Sequence, residues 1–298
     1  MKAFDYFAPE TIKEAIEILT AHPKAMMMAG GTDSLVRMKG RVWTPSAIVD
    51  VRNLPGVRDL AFKVKQGLTI GPGVTMQQAA LSDVVQKRFA AVAQGASVVG
   101  SIQIRNLATV AGNVCNAAPS ADTAPGLIAL GAKVKIAGPK GRRTMSVENF
   151  MTGPGQTALT SGELVTSIQV PTPPARTGSA YVRHTPRLAM DIAVVGVGAA
   201  VTLAPRSNVC KDVKIVLGAV APTPIRAKKA ERILKGKELT PEIIASAAEV
   251  AAGEARPITD VRTSADFRRE MVRVLTERMV QAAQENAKTP VNSKRRAA

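Results

Sequence analysis

Residues 25–35, AMMMAGGTDSL, run an apolar segment straight into two glycines and a polar triplet. The apolar part reads as a short buried strand that must stop where Gly30 and Gly31 begin. Glycine accepts the positive φ of a tight turn at no steric cost. Consecutive N–H groups in such a turn converge on one acceptor, and Thr32 and Ser34 would add hydroxyl donors. The stretch is neither a Walker A loop nor a G-x-G-x-x-G fingerprint, because the lysine and the glycine spacing are absent. An anion nest and an ordinary strand-to-helix turn are both open at this point.

The flanking sequence supplies the rest of a small sheet. PETIKEAIEILTAHP opens with Pro9 and repeats apolar residues at Ile12, Ala15, Ile16 and Leu19, which is helical spacing. SAIVDV at 46–51 reads as a second strand, so strand, helix and strand follow within few residues. From Val57 the texture changes: LAFKV and LTIGPGV flank the turn KQG as a hairpin. Helical patterns at 83–93 and 123–130 and strands at KVKIA and ELVTSIQV complete this part. The prolines of PTPP, 171–174, can continue neither ladder and mark a boundary. Three apolar strand candidates follow, SAYVRH, DIAVVGVGAAVTL and CKDVKIVLGAV, then helices at 227–234, 241–253 and 264–285. Thr240 before Pro241 is a strong helix start. The pattern predicts an α+β chain: subdomains over 1–56 and 57–174, then three strands followed by a run of helices over 175–286. A basic tail is expected over 287–298.

Charge and cysteine content narrow the chemistry. The 298-residue chain carries 40 Lys and Arg against 23 Asp and Glu, a net +17, which favours anionic partners. Aromatic residues make up 3%, too few to interleave with the basic clusters KGRR, RAKK and KRR as single-strand nucleic-acid readers require. No nucleic-acid partner is expected, and a basic surface facing acidic subunits fits better. Cys115 and Cys210 are the two cysteines, whereas an iron–sulfur cluster needs about four thiolates. His22 and His184 are equally insufficient for a multi-histidine metal site. Any redox role therefore uses an organic cofactor or a partner's metals. No segment reaches the roughly 20 apolar residues of a membrane span, and MKAFDYFAPE shows no signal-peptide pattern. A cytoplasmic protein is expected.

A second segment, IRNLATVAGNVCNAAPSADTAP at 104–125, is dominated by small residues. Backbone can approach a large flat ligand only where side chains are absent, and Asn113, Asn116 and Asp122 place directional groups on that surface. A long loop of this kind inside a compact domain is favoured as functional over a merely buried irregular loop.

Together, AGGTDSL, TVAGNVCNAAPSADTAP and YVRHTPRLAMDIAVVGV resemble, in order, the FAD-binding medium subunit of molybdenum hydroxylases of the xanthine dehydrogenase and carbon monoxide dehydrogenase type. The likeness spans residues 1 to about 285. It implies a two-part FAD-binding domain of the PCMH type, with a small mixed α/β subdomain and a larger sheet-and-helix subdomain, followed by a C-terminal flavoprotein domain of a three-stranded antiparallel sheet and a helix bundle. It also implies that Ala29, Gly30, Gly31, Thr32, Asp33, Ser34 and Leu35, with Met28 at the edge, wrap the FAD pyrophosphate. Thr109, Val110, Ala111, Gly112 and Asn113 match the family's second glycine motif. Asp122 matches a hydrogen-bonding position, Val165 a branched residue packed on the cofactor, and Arg183 a position where some members carry lysine.

The resemblance further implies non-covalent FAD, since neither histidine falls in the glycine motifs. Molybdenum cofactor and 2Fe–2S clusters would lie on a large and a small partner subunit, and electrons would leave for NAD+, oxygen or a quinone. No catalytic residue and no metal ligand is assigned to this chain. Ala111 replaces a glycine of the family motif, and alanine resists the left-handed region; Arg183 keeps a lysine's charge but changes its shape. Two other classes remain compatible with the residues: a stand-alone FAD-dependent oxidoreductase, for which no substrate-anchoring constellation is evident, and a basic nucleic-acid-binding protein.

Overall fold

The computed structural model describes residues 1–289. Its first part is a three-stranded parallel sheet in the order β1-β3-β2, formed by β1 (Asp5–Phe7), β2 (Ala25–Met28) and β3 (Ala47–Asp50). Helix α1 (Ile12–Ala21) crosses between β1 and β2 and buries Ala15 and Leu19, two of the residues whose spacing predicts it. Its N-cap Thr11 accepts the Glu14 N–H through its side chain, satisfying an otherwise unpaired donor. Helix α2 (Ser34–Lys39) leaves directly from the glycine pair. Strand β1 was not anticipated: three residues, two of them exposed, carry no readable period.

The second part is a five-stranded antiparallel sheet with its own helices packed against it. It is built from β4 (Leu60–Lys63), β5 (Gly67–Ile70), β6 (Lys133–Gly138), β7 (Gly141–Ser146) and, after the two-stranded ribbon β8 (Met151–Gly153) and β9 (Gln156–Thr157), β10 (Leu164–Val170). The order β4-β5-β10-β6-β7 puts β10 at the centre. The basic cluster KGRR is the turn and first residues of the β6–β7 hairpin. Between β5 and β6 lie α3 (Met76–Leu81), α4 (Asp83–Arg88), α5 (Ala90–Ser97), α6 (Ile102–Arg105), α7 (Val110–Asn116) and α8 (Thr123–Ala129), and α9 (Val147–Phe150) follows β7. Most of these helices are one or two turns long, too short to stand alone in water. They are fixed by caps, including the capping box of Thr75 and Gln78, and by a shared core around Phe89, Leu127, Ile136 and Phe150.

The third part pairs β11 (Thr177–His184), β12 (Val195–Leu203) and β13 (Cys210–Gly218) in the expected antiparallel order. A two-residue strand, β14 (Ile225–Arg226), extends this sheet to four strands, an addition too short to show in a pattern. Helices α10 (Lys228–Leu234), α11 (Pro241–Glu254) and α12 (Ala265–Lys288) cover one face. Gly178 lets β11 meet α12 backbone to backbone: a Cβ there would lie 2.2 Å from the Ala283 carbonyl oxygen. Helix α12 runs to Lys288, so the expected tail loses its first two residues to the helix, and 290–298 lie outside the described residues.

The second and third parts are locked together. Pro125 of α8 sits against Gly198, where a Cβ would come within 2.8 Å of the Pro125 carbonyl carbon. Across the same seam Ser179 Oγ accepts the Ala91 N–H at 3.2 Å, and the Tyr181 N–H donates to Gln94 Oε1 at 2.7 Å. No helix among the described residues is long and apolar enough to cross a membrane.

Candidate functional site

Strand β2 ends by driving its glycines into the second part of the chain. A Cβ on Gly30 would sit 2.0 Å from the Leu107 carbonyl oxygen, so the two small-residue segments touch through their backbones. Gly31 turns the chain with φ +71°, and its carbonyl accepts the Leu35 N–H at 3.0 Å to open α2. The facing segment is held just as firmly. The Met76 N–H donates to the Ala108 carbonyl at 2.8 Å, and the Val110 N–H donates to the Val74 carbonyl at 3.1 Å. Neither wall can shift without breaking main-chain hydrogen bonds.

Between these walls lies a cavity of about 670 Å³, within the range of roughly 300–1,000 Å³ typical of ligand sites. Residues 29–34 line it on one side; Thr109, Ala111, Gly112 and Asn113 line it opposite, and Val165 of β10 contributes from the sheet. Five of the expected site residues do not line it. Met28 lies beneath the glycine turn, Leu35 is partly exposed on α2, and Val110 is fully buried in the second core. Asp122 and Arg183 face each other away from the wall.

Two of the amides on the second wall are already engaged. Thr109 caps α7: its Oγ1 accepts the Gly112 N–H at 3.0 Å, and its carbonyl accepts the Asn113 N–H at 3.0 Å. Gly112 therefore serves close approach more than donation. A Cβ there would stand 2.8 Å from Thr109 Oγ1. The substitution of alanine at Ala111 costs nothing visible, because positive φ along this wall is confined to Ala117 at the end of α7.

The lining also contains groups that motif reading did not commit to. Asn116 Oδ1 is buried without a hydrogen-bond partner, a condition that costs about 1–3 kcal/mol unless a ligand or water satisfies it. Cys115 lines the cavity as a thiol pushed up to about 12 by burial, so it is a neutral wall group. Trp43, Met76 and Leu159 add apolar surface. Their separation along the chain hides them from any motif; only the fold brings them to one place.

Behind the cavity, Asp122 forms the centre of a buried polar triangle. Tyr181 Oη donates to its Oδ1 at 2.7 Å, and Arg183 Nη1 donates to its Oδ2 at 2.7 Å. Burial pushes the Asp122 carboxyl up, and the guanidinium and phenol pull against that shift. Burial, reinforced by the facing carboxylate, raises the Tyr181 phenol well above its ordinary range. The triangle ties α8 to β11 with a charge on each side.

Comparison with known proteins identifies the family. Residues 2–173 match the FAD binding domain in molybdopterin dehydrogenase, and residues 180–283 match the CO dehydrogenase flavoprotein C-terminal domain. The chain belongs to the FAD-binding medium-subunit family of the xanthine and carbon monoxide dehydrogenases. It is 31% identical to the xanthine dehydrogenase FAD-binding subunit of Escherichia coli O157:H7, over 93% of this chain and 95% of that one. It is 32% identical to the carbon monoxide dehydrogenase medium chain of Afipia carboxidovorans, over 96% and 98% of the two chains. The structure of the Hydrogenophaga pseudoflava carbon monoxide dehydrogenase lacking the Mo-pyranopterin moiety superposes with a TM-score of 0.90, at 30% identity, covering 96% and 98%. Quinoline 2-oxidoreductase from Pseudomonas putida 86 gives 0.89 at 28% identity, covering 97% and 100%.

As a member of this medium-subunit family, the chain is an oxidoreductase flavoprotein subunit, and its cavity suits the family's cofactor. Two walls of small residues admit a flat or extended ligand, and Thr32 and Ser34 bring hydroxyl donors to the lining. The buried, unpaired Asn116 Oδ1 adds an acceptor.

Proposed function

We propose that this chain is the electron-transfer flavoprotein of a three-subunit molybdenum hydroxylase, holding FAD non-covalently between residues 29–34 and 108–116. The observation that carries this reading is the backbone contact of Gly30 with Leu107, which turns two glycine-bearing segments into opposite walls of one cavity. When bound, FAD supplies a two-electron carrier between the partner's iron–sulfur centres and an external acceptor. The chain's own work is binding and orientation. Residues 29–34 take the pyrophosphate, the small residues of 108–116 admit the cofactor's body, and Val165 packs on it. Asp122 and Arg183 serve as a pair that fixes the wall from behind. The division at residues 56, 174 and 286 follows the three sheets and belongs to the same proposal.

The partners are a large molybdenum-cofactor subunit and a small 2Fe–2S subunit in the cytoplasm, with NAD+, oxygen or a quinone as the final acceptor class. Two cysteines and two histidines leave this chain without metals of its own. Its +17 charge suits acidic neighbours. A tagged chain purified gently from its native host is expected to bring down two further subunits, one containing molybdenum and one with the visible spectrum of a 2Fe–2S protein. A chain that purifies alone and reduces its flavin with a substrate of its own would instead be a stand-alone oxidoreductase.

A further inference from the structure

The cavity has one aromatic side chain among its described lining residues, Trp43, and it is the single tryptophan of the chain. Its position is set by α2. The Val42 and Trp43 N–H groups both donate to the Arg37 carbonyl, at 2.9 and 3.3 Å, in the turn that ends the helix. Arg41 holds that turn with φ +57°. The Arg37 guanidinium carbon lies 4.4 Å from the Trp43 ring centroid, a cation–π contact that props the indole in place. The residue is half-buried and lines the cavity together with Ala25 and Met26, and the Ala25–Ala47 pairing sets the start of β3, four residues after Trp43, beside Ala25.

That end of the cavity is fixed relative to the glycine turn. Helix α2 starts at the turn, and the chain beyond it folds back until the Trp43 N–H meets the Arg37 carbonyl. Strand β2 sets the spacing: Ala25 is its first residue, the turn follows its last, and four residues span about 10–13 Å. Trp43 therefore stands at the far end of β2 from the pyrophosphate position, on the wall of the first sheet. Val165, Leu159 and Asn116 lie on the second-part wall. A dinucleotide has two ring systems flanking its pyrophosphate, and the smaller one fits the end bounded by a short strand and a six-residue helix.

We propose that Trp43, propped by Arg37, is the stacking platform for the adenine ring of the cofactor. This rests on the FAD reading of the cavity and goes beyond it, because it assigns the nucleotide half to a side chain outside both glycine motifs. Base-on-aromatic stacking tolerates any purine face and contributes substantially to affinity. Trp43 thus selects for a nucleotide-bearing flavin, FAD over FMN.

Because the chain has a single tryptophan, its fluorescence reports on this end of the cavity directly. The full chain, stripped of flavin, is titrated with ADP, which lacks the flavin's absorption over the tryptophan emission band. ADP is expected to change the tryptophan emission as it binds. Trp43→Ala is expected to weaken FAD binding by at least about tenfold, and Trp43→Phe by less than about threefold, with both variants checked for folding by thermal melting. ADP that binds without changing the tryptophan emission overturns the proposal. So does a folded Trp43→Ala chain with wild-type FAD affinity, and in that case the FAD site itself stands. A wild-type chain that takes up no FAD at all overturns both.

Discussion

A Gly31→Val chain is expected to fold and to carry no flavin. Gly31 holds φ at +71°, a region that a β-branched side chain resists. Its Cβ would also enter at 3.2 Å from Leu35 Cδ1, with Met28 Sδ at 3.4 Å on the other side. The strain is about 1–3 kcal/mol. It is relieved by turning the loop, which redirects the amides and hydroxyls that face the cavity. FAD affinity should fall on the order of a hundredfold, read as the flavin-to-protein ratio after gel filtration, while far-UV circular dichroism stays near wild type. Full flavin content in this variant would remove the pyrophosphate from this turn. Gly30 is a poorer probe. A side chain there collides with the Leu107 carbonyl and parts the two walls, so lost flavin would report a packing failure as much as a lost contact.

The second large effect is on stability. Asp122→Ala removes the carboxylate from the buried triangle and leaves Arg183, whose side chain is 6% exposed, without its counter-charge. Breaking one partner out of a buried pair costs about 3–5 kcal/mol, and the Tyr181 hydroxyl loses its acceptor as well. A fall in Tm of roughly 10 °C is expected for a chain of this size, measured by calorimetry or thermal circular dichroism. The double variant Asp122→Ala/Arg183→Met should recover part of that loss, because no unpaired charge then remains buried. A single variant melting within a degree of wild type would mean that the triangle contributes little, and that Asp122 faces the cofactor instead.

The extent to which sequence anticipated structure follows from the range of each signal. The strand AMMM, its glycine turn and the helix from Ile12 were legible because apolar spacing and glycine conformation act within a few residues. The antiparallel core of the third part was legible for the same reason: β12 and β13 are nine residues each and almost wholly apolar on their buried faces. Strands β1 and β14, three and two residues long, exist only because a neighbour offers them a ladder.

At the site, the two glycine segments were visible as unusual runs, but their contact through Gly30 and Leu107 was not, since 76 residues of folding intervene. The Asp122 triangle shows the limit most clearly. Sequence marks Asp122 and Arg183 separately as cofactor contacts, and the structure pairs them with each other across 61 residues and adds Tyr181, which was given no such role, 59 residues from Asp122. Trp43 had no periodicity or motif to mark it. It joins the lining only because the turn after α2 folds back onto Arg37.

The central claim is that this cavity holds FAD. Its most direct test is to purify the chain gently, denature it, and identify the chromophore released into solution. The account predicts a yellow protein that releases FAD in near-equimolar amount and, once stripped, takes FAD up again in preference to FMN. A colourless chain that gains no flavin on reconstitution, or one that releases FMN, would contradict it.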